Sequence, residues 1–175
     1  KTSDGVRINL LANVALGGDA IQLISYGAEG VGLFRTEIYF LSLDRYPDID
    51  EQTKVYRDLL ESIPEDKPVV FRTLDVGADK AAPYMGFQDE DNPFLGYRAV
   101  RRQLKEKKVL KEQLSALLQA TGTRANVRLL FPMITNVIEI KKARALFEEC
   151  RKEMEANGKT FAKIEVGMMF EVPSA

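Results

Sequence analysis

Residues 127–156 read VRLLFPMITNVIEIKKARALFEECRKEMEA, and this stretch gives the clearest indication of the fold class. It begins with a run of apolar residues at 127–134, which is typical of a buried strand. Apolar residues then recur at helical spacing on one face of a predicted helix at 136–156: Ile140, Ala143, Phe147, Cys150 and Met154. Asn157 and Gly158 end this helix. A buried strand followed directly by an amphipathic helix is the repeating unit of a parallel α/β sheet.

The same alternation of strands and helices extends over the whole chain. Strands are predicted at 6–14, 30–36, 69–75, 127–134 and 163–172. Helices are predicted from an N-cap at Asp19 to about Gly27, and then at 50–63, 94–106, 109–120 and 136–156. This order fits either an open doubly wound sheet or part of a (β/α)₈ barrel. Units of about 35 residues would give a full barrel of about 280 residues, close to the usual barrel size, so the spacing favours the barrel.

We therefore predict an α/β fold that is a partial (β/α)₈ TIM barrel, with parallel strands and about five of the eight strand–helix units. Residues 1–175 would be the N-terminal part of one barrel domain, truncated after its fifth strand. The chain does not begin with Met, and its last strand is not followed by a helix. We expect it to be part of a longer polypeptide.

The composition excludes several classes of function. The 175 residues contain 25 Lys and Arg, 26 Asp and Glu and no His, so the net charge is −1. This balance gives no electrostatic reason to bind nucleic acid or an anionic membrane, and no apolar run is long enough to span a bilayer. The absence of His excludes Ser–His and Cys–His nucleophiles and imidazole metal ligands within these residues. The single cysteine, Cys150, is predicted to lie in the core, and it is typical of a reducing, cytoplasmic compartment.

Two arginines lie near the ends of neighbouring predicted strands, at the edge where parallel α/β sheets bind ligands. They are Arg35 on the second strand and Arg72 on the third. Adjacent strands are about 4.8 Å apart, so two guanidinium groups there repel each other unless an anion joins them. Arginine binds phosphate or carboxylate oxygens through two hydrogen bonds, which favours an anion site. The alternative is that each arginine forms a structural ion pair with a nearby acid, Glu37 or Asp75.

Two further charged residues are candidates for the same edge. Glu171 follows the small and apolar residues of the fifth strand, where a buried carboxylate needs a cation or a donor. Because the chain has no His, Mg²⁺ is the natural cation, and it often binds one or two carboxylates together with a phosphate substrate. Glu171 is therefore either a magnesium ligand or the partner of an arginine. Arg98, which follows the polar loop at 77–93, either faces this site or ties its own loop to the barrel.

Five motifs in this chain, in the same order, resemble the C-terminal PEP-binding barrel of the enzyme I family of the phosphoenolpyruvate-dependent phosphotransferase system. They are GVGLFRTE at 30–37, FRTLDVGADK at 71–80, DNPFLGYR at 91–98, LLFPMI at 129–134 and GMMFEVPSA at 167–175. Ala78 stands where the family usually has a second Gly. The last motif reads EVPSA where the family commonly has ETPAA or EVPAA. Both departures are small.

The resemblance implies specific roles for the candidate residues. Arg35 and Arg72 would bind the phosphoryl group of phosphoenolpyruvate (PEP), Arg98 would be a further substrate contact, and Asp75 would orient Arg72. Glu171 would be one of two carboxylate ligands of Mg²⁺, the second of which lies beyond this chain. These roles suit phosphoryl transfer, which requires mainly positioning and charge neutralisation.

The resemblance also implies what this chain lacks. In the family, the second metal ligand, its neighbouring Asn, another substrate Arg and the Cys that protonates the enolate come from later strands, and the phosphorylated His belongs to a separate N-terminal domain. We therefore predict no catalytic residue within this chain and no phosphoryl transfer by the chain alone. The parent protein would pass phosphate from PEP to its own His and then to a histidine-containing phosphocarrier protein, in sugar uptake or its nitrogen-related branch. It would be a homodimer.

Three alternatives remain open at this stage. Pyruvate phosphate dikinase and PEP synthase share the barrel and parts of these motifs. A citrate-lyase-like, metal-dependent barrel would act on pyruvate-like substrates and cleave carbon–carbon bonds. A non-catalytic module would dimerise through an unpaired strand edge. An Asn–Asp pair at the next strand end and a later Cys would favour enzyme I.

Overall fold

Five strands form one parallel sheet and lie side by side in the order in which they occur in the chain. The computed structural model describes residues 1–15 and 17–175, and within this part the strands are β1 (Ala12–Val14), β2 (Val31–Arg35), β3 (Val69–Arg72), β4 (Val127–Phe131) and β5 (Glu165–Met168). Each strand pairs in parallel with the one before it. A doubly wound sheet reverses its strand order, whereas a barrel does not. The prediction of an α/β fold consistent with part of a TIM barrel is confirmed, and the sheet is open, with β1 and β5 at its edges.

Helices connect these strands, and their ends follow from local capping. They are α1 (Gly17–Ser25), α2 (Thr36–Leu41), α3 (Ile49–Ser62), α4 (Ala99–Lys105), α5 (Lys107–Thr121) and α6 (Val137–Ala156), with a 3₁₀ turn at Pro83–Met85. Asp48 begins α3 with a capping box, in which its side chain and that of Glu51 each accept a hydrogen bond from the other residue's N–H. Asn136 caps α6 by accepting from the N–H groups of Ile138 and Glu139. In the described ranges no helix is long and apolar enough to cross a membrane.

The core between the sheet and helices α3 and α5 sets the register of β2 against β3. Phe34 and Phe71 occupy paired positions on these strands, and their rings meet edge to face with centroids 5.4 Å apart. Tyr56 of α3 packs against Phe71 at 5.3 Å, and all three side chains are fully buried with Leu114 of α5. Burying each such side chain contributes about 1.5–3 kcal/mol to the free energy of folding. This cluster therefore fixes where the next residue on each strand lies.

The first predicted strand is much shorter than expected. It was predicted at 6–14 but comprises only Ala12–Val14. The reason lies in its neighbour, because the N–H of Leu10 bonds to the side chain of Glu29 rather than to a strand. Val6 and Ile8, whose alternation suggested a buried strand, are exposed.

Other boundaries differ where side chains replace the strand ladder. The third strand was predicted to reach residue 75 but ends at Arg72, because the N–H of Leu74 bonds to a glutamine side chain of α5. The fifth strand was predicted at 163–172 but ends at Met168. Asp19 lies in the first turn of α1, whose first residue is Gly17, so the prediction of an N-cap there is wrong. The short helix α2 was not predicted, since six residues are too few to show a period.

Candidate functional site

The last residues of β2 and β3 are both arginines, and the parallel register places them next to each other. Arg35 pairs with Arg72, one position after the Phe34–Phe71 pair. Since both residues end their strands, they lie at the carboxyl edge of the sheet, where parallel α/β folds place their ligand sites. The structure thus brings together the two arginines that the sequence singles out.

The carboxylate of Glu37 joins these two arginines. Its Oε1 atom accepts hydrogen bonds from Arg35 Nε at 2.9 Å and from Arg72 Nη2 at 2.5 Å. The Glu37 side chain is 0% exposed, that of Arg72 is 9% exposed, and that of Arg35 is 37% exposed. Glu37 lies in the first turn of α2, where the helix dipole favours a negative charge. The sequence left open whether each arginine forms an ion pair with a nearby acid, and both do so with Glu37. Part of the Arg35 side chain nevertheless remains accessible to solvent.

A second carboxylate, that of Asp75, links Arg72 to Arg98. Arg72 Nη1 lies 3.2 Å from Asp75 Oδ2, and Asp75 Oδ1 accepts hydrogen bonds from Arg98 Nε at 3.2 Å and Nη2 at 2.9 Å. The remaining nitrogen of Arg98, Nη1, donates to Asp79 Oδ1 at 3.2 Å and to the carbonyl oxygen of Pro93 at 3.5 Å. Each nitrogen of the Arg98 guanidinium therefore has a protein partner, and the side chain is only 6% exposed. This geometry favours the interpretation that Arg98 ties its loop to the sheet.

Gly77 allows the two loops around Arg98 to approach each other closely. A Cβ atom at this position would lie 2.9 Å from Arg98 Cβ, 3.0 Å from Asp79 Oδ1 and 3.1 Å from the carbonyl oxygen of Pro93. Two of these neighbours belong to the backbone or the first side-chain carbon, which cannot swing away. Any larger residue would therefore displace the loop that carries Arg98.

Two buried glutamines hold the loop that follows β3. Gln113 Oε1 accepts a hydrogen bond from the N–H of Leu74 at 2.9 Å, and Gln103 Nε2 donates to the carbonyl oxygen of Leu74 at 2.9 Å. Both glutamines are almost fully buried. Leu74 directly precedes Asp75, so α4 and α5 together fix the residue that links Arg72 to Arg98.

Gln113 also connects this loop to the end of β2. Its Nε2 atom donates to Thr36 Oγ1 and to Tyr56 Oη, both at 3.1 Å, and Thr36 Oγ1 in turn donates to the carbonyl oxygen of Arg72 at 2.9 Å. Burial raises the pKa of Tyr56 well above its usual range, although the hydrogen bond from Gln113 opposes the shift. Tyr56 therefore stays neutral and serves as a fixed hydrogen-bonding group.

Sequence reasoning missed both glutamines. The signal for Gln113 is its spacing, because it lies three residues after Leu110 and four before Leu117, on the buried side of α5. Gln103 has no comparable signal, since α4 is too short to define a face. What each amide bonds to depends on loops that are far away in sequence, and no local pattern predicts such partners.

Glu171 lies at the same edge of the sheet but outside the arginine network. It is exposed, and its Oε1 atom accepts a hydrogen bond from the N–H of Met133 at 2.6 Å. Arg72 Nη1 lies 3.8 Å from the sulfur of Met169, two residues before Glu171, so the end of β5 reaches the arginines. The expectation that Glu171 is buried is wrong because β5 is an edge strand. Among the residues that the structure describes, Glu171 forms no ion pair with an arginine.

Backbone strain is present on both sides of the site. Met133 has φ of 57° and Ala99 has φ of 48°, values that are uncommon for residues other than Gly. The N–H of Met133 bonds to Glu171, and that of Ala99, next to Arg98, bonds to the carbonyl oxygen of Val76 at 3.1 Å. Such conformations cost about 1–3 kcal/mol each and persist only where the surrounding contacts enforce them. Contacts around the site therefore hold Met133 and Ala99 in these backbone conformations.

The charges of this cluster balance, but some of its buried atoms lack partners. Three guanidinium groups face three carboxylates: Arg35, Arg72 and Arg98 against Glu37, Asp75 and Asp79. Within residues 1–15 and 17–175, Glu37 Oε2, Arg72 Nε and Thr73 Oγ1 are buried without a hydrogen-bond partner. Buried polar atoms are usually paired, so this cluster keeps unused bonding capacity.

Glu171 fits one position of a magnesium site. In the described part of the chain, no group of three or more His, Cys, Asp or Glu residues could hold a metal ion. Mg²⁺ usually keeps several waters and binds one or two carboxylates with substrate phosphate oxygens. An exposed carboxylate at the same edge of the sheet as the two arginines suits that coordination. The described residues are thus compatible with one ligand position and not with a complete site.

Cys150 is a core residue, as predicted. It is a free cysteine, fully buried on α6, and its sulfur lies 3.8 Å from the carbonyl oxygen of Lys111. Burial raises the pKa of the Cys150 thiol. Because the thiolate is the reactive form, burial makes this thiol a poor nucleophile and a poor metal ligand.

Comparisons with known proteins agree with one another. A family profile described as "PEP-utilising enzyme, PEP-binding domain" matches residues 1–175. The chain is 45% identical over 174 residues to the phosphoenolpyruvate-protein phosphotransferase of Bacillus subtilis (strain 168), and 41% identical over 175 residues to that of Mycoplasma capricolum. It is also 41% identical over 174 residues to the multiphosphoryl transfer protein of Rhodobacter capsulatus. Each match covers 99% of this chain, but only 30% of the two phosphotransferases and 20% of the multiphosphoryl transfer protein.

Proposed function

Because this chain belongs to the family of PEP-utilising enzymes, in which it represents the PEP-binding domain, we propose that it is the N-terminal part of the PEP-binding barrel of a PEP-protein phosphotransferase. The parent protein transfers phosphate from PEP to its own His and then to a histidine-containing phosphocarrier protein. The observation that carries the proposal is the pair Arg35 and Arg72, adjacent at the carboxyl edge of the sheet and joined through one carboxylate.

Arg35 is the residue best placed to bind the phosphoryl group. Its Nε atom bonds to Glu37, while its Nη1 and Nη2 atoms form no hydrogen bond with the residues that the structure describes. Two terminal nitrogens with four N–H groups match the oxygens of a phosphate. Arg72 is nearly buried, and its ion pairs with Glu37 and Asp75 hold it in place. Its positive charge adds to that of Arg35 in attracting the phosphoryl group. Arg98 positions Asp75 through two hydrogen bonds and is proposed as a further substrate contact.

Glu171 is proposed as one carboxylate ligand of Mg²⁺, with the second ligand supplied by a later part of the barrel. When bound, Mg²⁺ neutralises charge on the transferring phosphoryl group and orients it. The hydrogen bond from the N–H of Met133 holds one oxygen of Glu171 in place. The side chain of Glu171 is exposed in this chain, so its carboxylate is accessible to a metal ion.

The cellular setting of the parent protein is also a proposal. We propose a cytoplasmic homodimer that acts in sugar uptake or in its nitrogen-related branch. The support is the family of the relatives compared above, which are named phosphoenolpyruvate-protein phosphotransferase and multiphosphoryl transfer protein. The same relatives give no support to a non-catalytic module.

The test measures phosphate transfer from labelled PEP to the carrier protein, using the complete polypeptide that contains this chain. Arg35→Gln is expected to lower kcat/KM for PEP by about 100-fold, because it removes a preorganised donor to the phosphoryl group. Arg57→Gln is the matched control, since Arg57 is exposed on α3 and lies outside the arginine cluster. An Arg35→Gln effect no larger than that of the control would refute the proposal. Labelling of the carrier by residues 1–175 alone would refute the prediction that transfer needs residues outside this chain.

A further inference from the structure

Glu37 is a fully buried carboxylate whose role goes beyond a simple ion pair. A single oxygen, Oε1, receives hydrogen bonds from two guanidinium groups that belong to neighbouring strands. A second observation is independent of these bonds. Its other oxygen, Oε2, is buried without a partner among the described residues, as is Arg72 Nε. A residue needed only to neutralise Arg72 would be expected to use both oxygens in a bidentate pair.

The position of the shared oxygen determines how Arg35 is presented. Because Glu37 binds Arg35 through Nε, it holds the inner edge of the guanidinium and leaves the outer Nη atoms uncommitted to the described residues. The same oxygen binds Arg72 through Nη2, which fixes the two guanidinium groups relative to each other. Without Glu37 the two neighbouring guanidinium groups would repel each other. The Arg35 side chain, which is 37% exposed, would then move into solvent.

We propose that Glu37 is a positioning residue for PEP binding: it holds Arg35 and Arg72 at a fixed separation and turns the outer nitrogens of Arg35 toward the phosphoryl group. This inference rests on the proposed function, since it assumes that Arg35 binds that group. Glu37 acts through the arginines and not by touching the substrate. Its loss therefore weakens PEP binding more than it slows the transfer step.

The experiment compares steady-state kinetics and thermal unfolding of variants in the complete polypeptide. Glu37→Gln keeps the size of the side chain and removes its charge, and we expect KM for PEP to rise about ten-fold while kcat falls less than about three-fold. Glu37→Asp keeps the charge but withdraws the oxygen by one methylene, so KM is expected to rise as well. If Glu37→Gln does not fold, the KM of Glu37→Asp tests the proposal in its place. Glu61→Gln, at an exposed position of α3, is the matched control and should leave KM unchanged.

A double-mutant cycle separates positioning from a structural role. If Glu37 acts through Arg35 and Arg72, the KM of the double variant Arg35→Gln/Glu37→Gln should rise by clearly less than the product of the two single effects, because the effects of coupled residues are not additive. An unchanged KM in the folded Glu37 variants, or fully additive effects in the double variant, would overturn this inference alone. An unchanged kcat/KM in Arg35→Gln itself would instead overturn the proposed function.

Discussion

Replacing Gln113 with Leu tests how strongly the buried amide supports the site. Leucine fills a similar volume, so the main change is the loss of three hydrogen bonds. Tyr56 Oη can still donate to Gln52 Oε1, and Thr36 Oγ1 still donates to the carbonyl oxygen of Arg72. The N–H of Leu74, however, is left without its acceptor, and an unsatisfied buried donor costs about 1–3 kcal/mol. Including the two longer bonds, we expect Gln113→Leu to lower the free energy of unfolding by about 2–3 kcal/mol.

Urea denaturation followed by circular dichroism measures this change, with thermal unfolding as a second readout. A loss of 2 kcal/mol corresponds to a decrease in Tm of about 4–8 °C for a chain of this size. Gln119→Leu is the matched control on the same helix, because Gln119 accepts one exposed hydrogen bond from Lys159 and should change stability by less than about 0.5 kcal/mol. Equal effects of the two substitutions would refute the reasoning that the amide of Gln113 is a structural support of the loop.

Two further outcomes follow from the close approach at Gly77 and from an exposed ion pair, in which Arg45 Nη1 and Nη2 donate to the two carboxylate oxygens of Glu51 at 2.8 and 2.6 Å. Gly77→Ala is expected to lower the free energy of unfolding by about 1–3 kcal/mol, because its Cβ would press against Arg98. Gly18→Ala, where no described atom lies within 4 Å of the added Cβ, should not destabilise the chain, and equal losses in urea denaturation would contradict this account. The Arg45 guanidinium lowers the pKa of Glu51 from 4.5 to about 2, so the ionised Glu51 stabilises the fold above pH 4.5 and this contribution is lost as the pH falls toward 2. Glu51→Gln should therefore flatten the pH dependence of the urea midpoint between pH 4.5 and 2, and a profile identical to that of the unchanged chain would contradict the assignment.

The fold and the arginine pair could be predicted from sequence because both depend on local signals. Apolar runs followed by amphipathic helices define strand–helix units, and parallel strands bring their carboxyl ends to one edge. Arg35 and Arg72 each follow a buried Phe, so the same core contacts that pair Phe34 with Phe71 pair the arginines. The predicted ends of these two strands, residues 36 and 75, lie close enough to the observed ends, Arg35 and Arg72, to place both arginines at the edge of the sheet.

The remaining parts of the site depend on contacts that sequence patterns do not encode. The burial of Glu37 between two guanidinium groups, and that of Gln103 beneath Leu74, results from elements 29 or more residues apart in sequence meeting in space. Glu171 shows the converse, because an apolar sequence around it suggests burial while its place on an edge strand leaves it exposed. Strand order and edge position are properties of the whole sheet.

The sequential strand order has a consequence for how this protein acquires its structure. Each strand pairs with the strand made just before it, so no pairing has to wait for a distant part of the polypeptide. The longest segment between two paired strands is 73–126, and the entropy lost on closing a loop grows only slowly with its length. The sheet can therefore grow from β1 toward β5 while the chain emerges from the ribosome, with each new strand–helix unit adding to a template that is already in place.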